Sequence, residues 1–350
     1  MPNPTRTTLA LALPCALMAA AQAAAPAPDL PVHTLDSGTV RATVTHAAGG
    51  RLLSFALAGK PNFLKVDSAA GNPDDFVDAT NDNVAWFGHE VWVGPQKAWW
   101  SHQDVNPARA GAPWPPDPYL SLARYKVEED GPGAVAMASP ASPVNGLQLV
   151  KRYALVPGRP NSLRLDVDAA NTRDTQVAWD IWFNTRAHGA TRVYVPVARR
   201  TDVRQQAIEP TPDMRPLTWS LAGGLFSLDR FPAGRGQPHR NGKILLQPSA
   251  GWMAGFHAGQ VLVIQFPHQP RAAIHPDQGQ VELYNDWRPD APDAGLMEME
   301  VHAPYVQLAP GRHMQASELW TLLPYDGPDT RAAQVAFLKK HAKALGLGGL

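Results

Sequence analysis

The chain has 350 residues, enough for one large domain or two small ones, and its 31 basic and 31 acidic residues leave no formal net charge. No basic block is present, which excludes the usual electrostatic surface of a nucleic-acid-binding protein. Apolar residues make up 44% of the chain, so the 35 prolines and 28 glycines mark frequent turns in a folded chain rather than disorder.

In chain order, Arg6 precedes an apolar run from Leu9 to Ala21, followed by Ala23, Ala24 and Ala25. This is the pattern of a secretory signal, and the run is too short to span a membrane. Residues 1–25 are expected to be a signal peptide, leaving a periplasmic or secreted protein free of the membrane. Cys15, the single cysteine, lies inside that segment, so the mature chain has no disulfide and its core must suffice alone. Residues 39–45 alternate Val40, Ala42 and Val44 with Arg41, Thr43 and Thr45, the mark of a half-buried strand, and Gly49-Gly50 turns it into a second strand over 51–57. Residues 67–83, rich in Asp and Asn, read as loop.

The stretch 86–119 holds five of the eleven tryptophans: Trp86, Trp92, Trp99, Trp100 and Trp114. Between them stand His89, Glu90, Gln96, Lys97, His102, Gln103 and Asp104. Gly94-Pro95 and the prolines at 113, 115, 116 and 118 interrupt any long element, so a short strand near 88–93 leads into a stiff aromatic loop. Flat rings beside fixed polar groups suit a sugar, whose faces are C–H and whose rim is hydroxyl. The alternative is that these indoles cap one end of the core.

Short strands are expected at 121–127 and 134–138. A clear hairpin follows over 146–156 and 162–169 around Pro157-Gly158-Arg159-Pro160-Asn161. Further strands are expected at 177–184, 192–197, 243–246, 252–256, 261–266, 281–284, 297–301 and 317–323, with an irregular stretch over 198–242. Only the end reads as helix: Asp329 is the expected cap, Val335, Leu338, Ala342 and Leu345 line one face, and Gly346 stops it. So many short strands mean an all-β sandwich or barrel, taken as a single domain over 30–345.

The order of these signals resembles the galactose mutarotase-like (aldose epimerase-type) superfamily, with the nearest likeness to an uncharacterised bacterial branch. The carriers are Gly49-Gly50-Arg51 and Asn62-Phe63-Leu64 at the start, the hairpin ending in Asn171 in the middle, and Met297-Glu298-Met299-Glu300, Leu308-Ala309-Pro310-Gly311 and Trp320 at the close. The resemblance implies a large antiparallel β-sandwich with a sugar site on the concave face of one sheet, to which the C-terminal helix is an addition. It also implies the glutamate that stands before the closing L-x-P-G turn, here Glu300, and a mid-chain histidine near an asparagine, here His188 near Asn184. The residues around that histidine depart from the epimerase pattern.

Mutarotation needs a base for the anomeric hydroxyl and an acid for the ring oxygen, which a glutamate and a histidine supply when they face each other. Glu300 and His188 are the expected catalytic pair, with His89 and His102 of the aromatic loop the competing histidines. Trp92, Trp99, Trp100, His102 and Glu298 are expected to contact the sugar, Glu298 because it shares a strand face with Glu300 at period two. Glu282 and Trp287 join them, in a polar-aromatic cluster with Asn285 that can meet the Glu300 strand across a hairpin. His89-Glu90 and His102-x-Asp104 offer ligand atoms but match no metal-binding spacing, so no metal and no cofactor is expected. The expected partner is a saccharide, with no nucleic acid, and the expected state is a monomer. The readings left open are an aldose 1-epimerase, a non-catalytic sugar-binding module, and an accessory domain of a polysaccharide lyase or hydrolase.

Overall fold

Period-two alternation of apolar and polar side chains writes much of this chain into strands, and the strands pair into two large sheets. The computed structural model describes residues 30–67, 76–206 and 213–350; the expected signal segment, with Cys15, lies outside the described residues, as does part of the loop expected at 67–83. Among the described residues, the 11-stranded sheet runs Val32–Asp36, Val40–Thr45, Arg51–Leu57, His89–Gly94, Val177–His188, Leu296–His302, Val281–Trp287, His239–Leu246 and Val203–Gln205, with two short strands paired beside this path. The 10-stranded sheet has the hairpin Leu147–Val156 and Arg159–Asn171 near one end and pairs Arg159–Asn171 with the long strand His313–Pro324. The pairings are antiparallel apart from the short strand Met214–Arg215.

The core lies between the sheets. Val91, Ile181, Phe183, Leu283, Met299 and Val301 from the first sheet meet Leu149, Leu163, Leu165, Leu262, Trp320 and Leu322 from the second. The strands of the first sheet send these apolar residues inward from alternate positions, so its opposite face is left free for polar groups, whereas Gln260–Gln265 of the second sheet is apolar on both faces. The helix Arg331–Leu345 covers the outer face of the second sheet, setting Leu338 against Tyr194, Trp252, Phe256 and Val263. Full burial of such a leucine stabilises by about 1.5–3 kcal/mol before entropy is counted.

Three local expectations need correction. Residues 121–127 are not a strand: Asp117 and Pro118 start the short helix Pro118–Ser121, with Asp117 Oδ1 accepting from the Tyr119 amide at 2.9 Å, and the strand begins later, at Lys126–Gly131. An Asp-Pro pair is a helix start, which outweighs the strand pattern that follows it. The long helix is capped by Thr330, whose Oγ1 accepts from the Ala333 amide, while Asp329 accepts from the Gln334 side chain. Gly346 ends it in the left-handed region, at φ 70°. The irregular stretch 198–242 contributes short strands at Val203–Gln205, Met214–Arg215, Trp219–Ala222 and Leu225–Leu228.

A candidate saccharide cleft

Three rows of register build the free face of the first sheet. Glu90, Asn184, Glu300 and Glu282 stand in one row, each opposite the next across neighbouring strands. Two residues along the strands, Arg186, Glu298, Tyr284 and Lys243 form a second row. Two residues the other way, Trp92, Trp182 and His302 form a third. Alternation of side chains puts all three rows on the face turned away from the core, while Met297 and Met299 point inward.

The charged groups of these rows are tied into two networks. Arg186 donates from Nε to Glu298 Oε1 at 2.9 Å and from Nη1 to Glu90, whose other oxygen is 2.7 Å from Arg51 Nη2. Lys243 Nζ lies 2.7 Å from both Glu282 and Glu300. His302, fully buried, lies 3.2 Å from Asp180 and 3.6 Å from Glu282. The aromatic groups pack among these charges. The Lys243 ammonium sits 4.6 Å from the centre of the Trp182 ring and the Arg186 guanidinium 4.8 Å from that of Trp92. Trp92 meets Trp182 edge-on at 5.0 Å, and Trp114, 46% exposed, stands edge-on to Trp92 at 6.3 Å.

A hollow of about 500 Å³ opens over these rows, walled by Trp92, Trp114, Trp182 and Phe87 and floored by Glu90, Arg186, Lys243, Glu298 and Glu300. Asn241 and Tyr284, joined by a 2.6 Å hydrogen bond, border it. A second hollow of about 590 Å³ shares Gln96, Trp182, Gln206 and Lys243 with the first and extends to Arg204, Asp277 and Glu282.

Proton affinities follow from this wiring. Burial, helped by Glu298 and Glu282 and opposed by Lys243, pushes Glu300 up to about 8. Burial acts on Glu282 in the same direction, but Lys243 and His302 together hold it well below the usual carboxylate range. The two carboxylates share one lysine; the histidine beside Glu282 explains why they part. Burial alone would lower His302, and Asp180 and Glu282 instead carry it up to about 9. Burial opposes the charge of Lys243 as well, yet its two carboxylates raise it. The cluster is therefore self-neutralising. Glu282, Glu300 and His302 do bring ligand atoms within 4.8 Å of one another, the one such group among the described residues. The Lys243 ammonium lies 2.7 Å from each of the two carboxylates and already serves as their counter-ion.

The family model that matches this chain, over residues 32–323, is described as a domain of unknown function, DUF4380. The chain belongs to that family. Solved structures share its fold. The galactose mutarotase-like protein from Lactobacillus casei superposes with a TM-score of 0.52 at 12% identity, covering 84% of this chain and 100% of that one. The galactose mutarotase related enzyme from Lactobacillus acidophilus gives 0.50 at 10% identity, with 86% and 100% covered. At such identities the likeness is one of fold: this DUF4380 chain is a galactose mutarotase-like β-sandwich. No curated protein matches the sequence.

Of the residues singled out from the sequence, the DUF4380 structure brings Trp92, Glu298 and Glu300 into the cleft and Glu282 into the adjoining hollow. It places the others elsewhere. Trp99 and Trp100 are buried beneath their own loop, with indole N–H groups donated to the Val93 and Pro115 carbonyls at 2.5 and 2.6 Å, so they hold the loop and offer no face to a ligand. The same loop does reach the cleft, through Gln96 and Trp114. His102 is exposed on that loop, outside both hollows. Trp287 points to the other face of its strand and packs on Phe231 at 5.9 Å, because it follows Glu282 by an odd number of residues. His188 stacks on His257 at 4.6 Å at the far end of its strand, away from Glu300. His89 and Glu90 face opposite sides of their strand: His89 lies in the core, edge-on to Trp320 at 4.9 Å.

Arg186, Lys243, Trp182, Tyr284 and His302 also stand at the site, beyond the residues expected there from the sequence. His302 was within reach of the same argument that found Glu298, since it continues the period-two series 298, 300, 302. Trp182, Asn184 and Arg186 likewise alternate on one strand. Lys243 carries no local signal, because only the pairing of its strand with Val281–Trp287 brings it to Glu282.

Proposed function

We propose that this protein binds a neutral saccharide in the cleft between Trp114 and Glu298. The observation that carries the reading is the pairing of aromatic walls with a floor whose two cations, Arg186 and Lys243, are each held by two carboxylates. Indole and phenyl faces suit the C–H faces of a sugar ring, and Glu298, Asn241 and Tyr284 suit its hydroxyls. A ligand carboxylate or phosphate would have to compete with Glu90, Glu298, Glu282 or Glu300 for its counter-ion. Calorimetric titration with a panel of neutral and anionic sugars tests this: neutral sugars are expected to bind, and preference for uronic acids or sugar phosphates would refute it. The reading includes export of the mature protein, for which Arg6 and the apolar run over 9–21 are the support.

A second reading, an aldose 1-epimerase, is favoured by one observation. Glu300, pushed up to about 8, keeps its proton at neutral pH and can give it to a ring oxygen as the anomeric C–O bond opens. Glu298, on the same strand face, would then take the anomeric hydroxyl proton, in place of the histidine that the superfamily resemblance implied. Polarimetry on fresh α-glucose and α-galactose decides between binding alone and turnover, with Glu300→Gln abolishing any acceleration.

A further inference from the structure

We infer that the cleft takes an oligosaccharide of at least two rings rather than a single sugar, an inference that rests on the saccharide reading above. The two hollows adjoin each other along a shared wall. They share Gln96, Trp182, Gln206 and Lys243, and each by itself has the size of a ligand pocket, within roughly 300–1,000 Å³. Lys243 stands on the ridge between them: its ammonium reaches Glu300 in the first hollow and Glu282 in the second at 2.7 Å each. An ammonium has three donors. The ammonium faces these carboxylates and the Trp182 ring, and an oxygen crossing between the hollows, such as a glycosidic linkage joining a ring on either side, would meet it there. Beneath the ridge lies Trp182, whose buried indole N–H has no partner among the described residues and whose ring borders both hollows.

The second hollow is built for hydroxyls. Arg204, exposed and anchored by one 2.9 Å bond to the Gln278 carbonyl, and Asp277, ion-paired to Lys97, line it with a cation and an anion side by side. The first hollow keeps the aromatic wall of Trp92 and Trp114. One sugar is therefore held mainly by stacking and the next mainly by hydrogen bonds, with Lys243 at the junction.

The experiment is calorimetric titration of the full mature chain with three series: glucose, cellobiose and cellotriose; galactose and its β-1,4-linked di- and trisaccharide; mannose and its β-1,4-linked di- and trisaccharide. In the series that binds, the disaccharide is expected to bind roughly tenfold or more tightly than the monosaccharide. Arg204→Ala is expected to remove most of that gain without moving the melting temperature, and Asp277→Ala to do the same. Equal affinity for mono- and disaccharide would overturn the inference and leave the saccharide reading standing. A gain that survives both substitutions would also overturn it, by placing the second ring outside this hollow. Failure of all three series to bind would remove the saccharide reading and the inference with it.

Discussion

The carboxylate of Glu298 lies 2.9 Å from the guanidinium of Arg186, the residue directly opposite it on the neighbouring strand. Arg186 also holds Glu90, which in turn holds Arg51. The chain of charges runs from the interior of the sandwich to the floor of the cleft, where Glu298 is its most exposed carboxylate. Burial opposes the Arg186 charge, yet Glu90 and Glu298 raise its proton affinity, so it stays a fixed cation that orients Glu298. Glu298→Gln is therefore expected to weaken saccharide binding roughly 10- to 150-fold, the equivalent of losing one charged hydrogen bond of about 1.5–3 kcal/mol. Calorimetry on the variant checks it; unchanged affinity would take Glu298 out of the site.

Lys243 holds two carboxylates together, and its removal leaves them facing each other with only His302 nearby. Lys243→Met is expected to destabilise the fold by about 3–5 kcal/mol, the usual penalty for leaving a buried charge unpaired. The double variant Lys243→Met with Glu282→Gln should recover most of the loss, since Glu282 is the carboxylate that stays ionised beside the lysine. Denaturant unfolding of both variants gives the comparison, and equal stability of the single and double variants would show that the cluster is not wired through this lysine.

The tryptophans of the aromatic loop should separate into two kinds. Trp99→Ala and Trp100→Ala are expected to lower stability by about 3–5 kcal/mol each, as for other buried aromatics cut to alanine. Trp114→Ala, at the exposed mouth of the cleft, is expected to leave the melting temperature almost unchanged and to weaken sugar binding. Thermal melts and titrations on the three variants test the division.

Glu318 gives a pH dependence that owes nothing to the cleft. It is buried between the sheets with Trp320 Nε1 2.8 Å from its carboxylate, and burial, offset in part by that hydrogen bond, pushes it up to about 8. Its folded proton affinity lies above its unfolded one, so the native state binds more protons between the two. Its contribution to stability is full below the ordinary glutamate range near 4.5 and is lost as pH rises through about 8. Glu318→Gln, which cannot ionise, is expected to lose less stability than the native protein between pH 5 and pH 9 (roughly the window set by these two values). Melting curves across that range check the sign; a native protein that gains on the variant as pH rises would contradict it.

The fold was legible because apolar alternation survives in almost every long strand: Val40, Ala42 and Val44 are buried as their spacing implies, and Leu163, Leu165 and Val167 likewise. The meeting of Glu282 with Glu300 was legible too, since two strands and a turn were enough to suggest their pairing. The rest of the site depends on contacts distant in sequence. Nothing in the stretch around Trp99 and Trp100 says that Trp114 rather than either of them faces outward, because a stiff aromatic loop can turn any ring inward. Asp117 outweighed the strand pattern after it by capping a short helix. The histidine expected at 188 sits where its strand leaves the cleft, whereas His302 lies on the same strand as Glu300.

The most direct measurement is a crystal structure of the protein with the saccharide that binds best in titration. The expected result is a sugar ring between Trp114 and Glu298, in contact with Trp92, with any second ring beyond Lys243. A saccharide bound on the outer face of the other sheet, or at the His188 and His257 end, with the cleft empty, would contradict it.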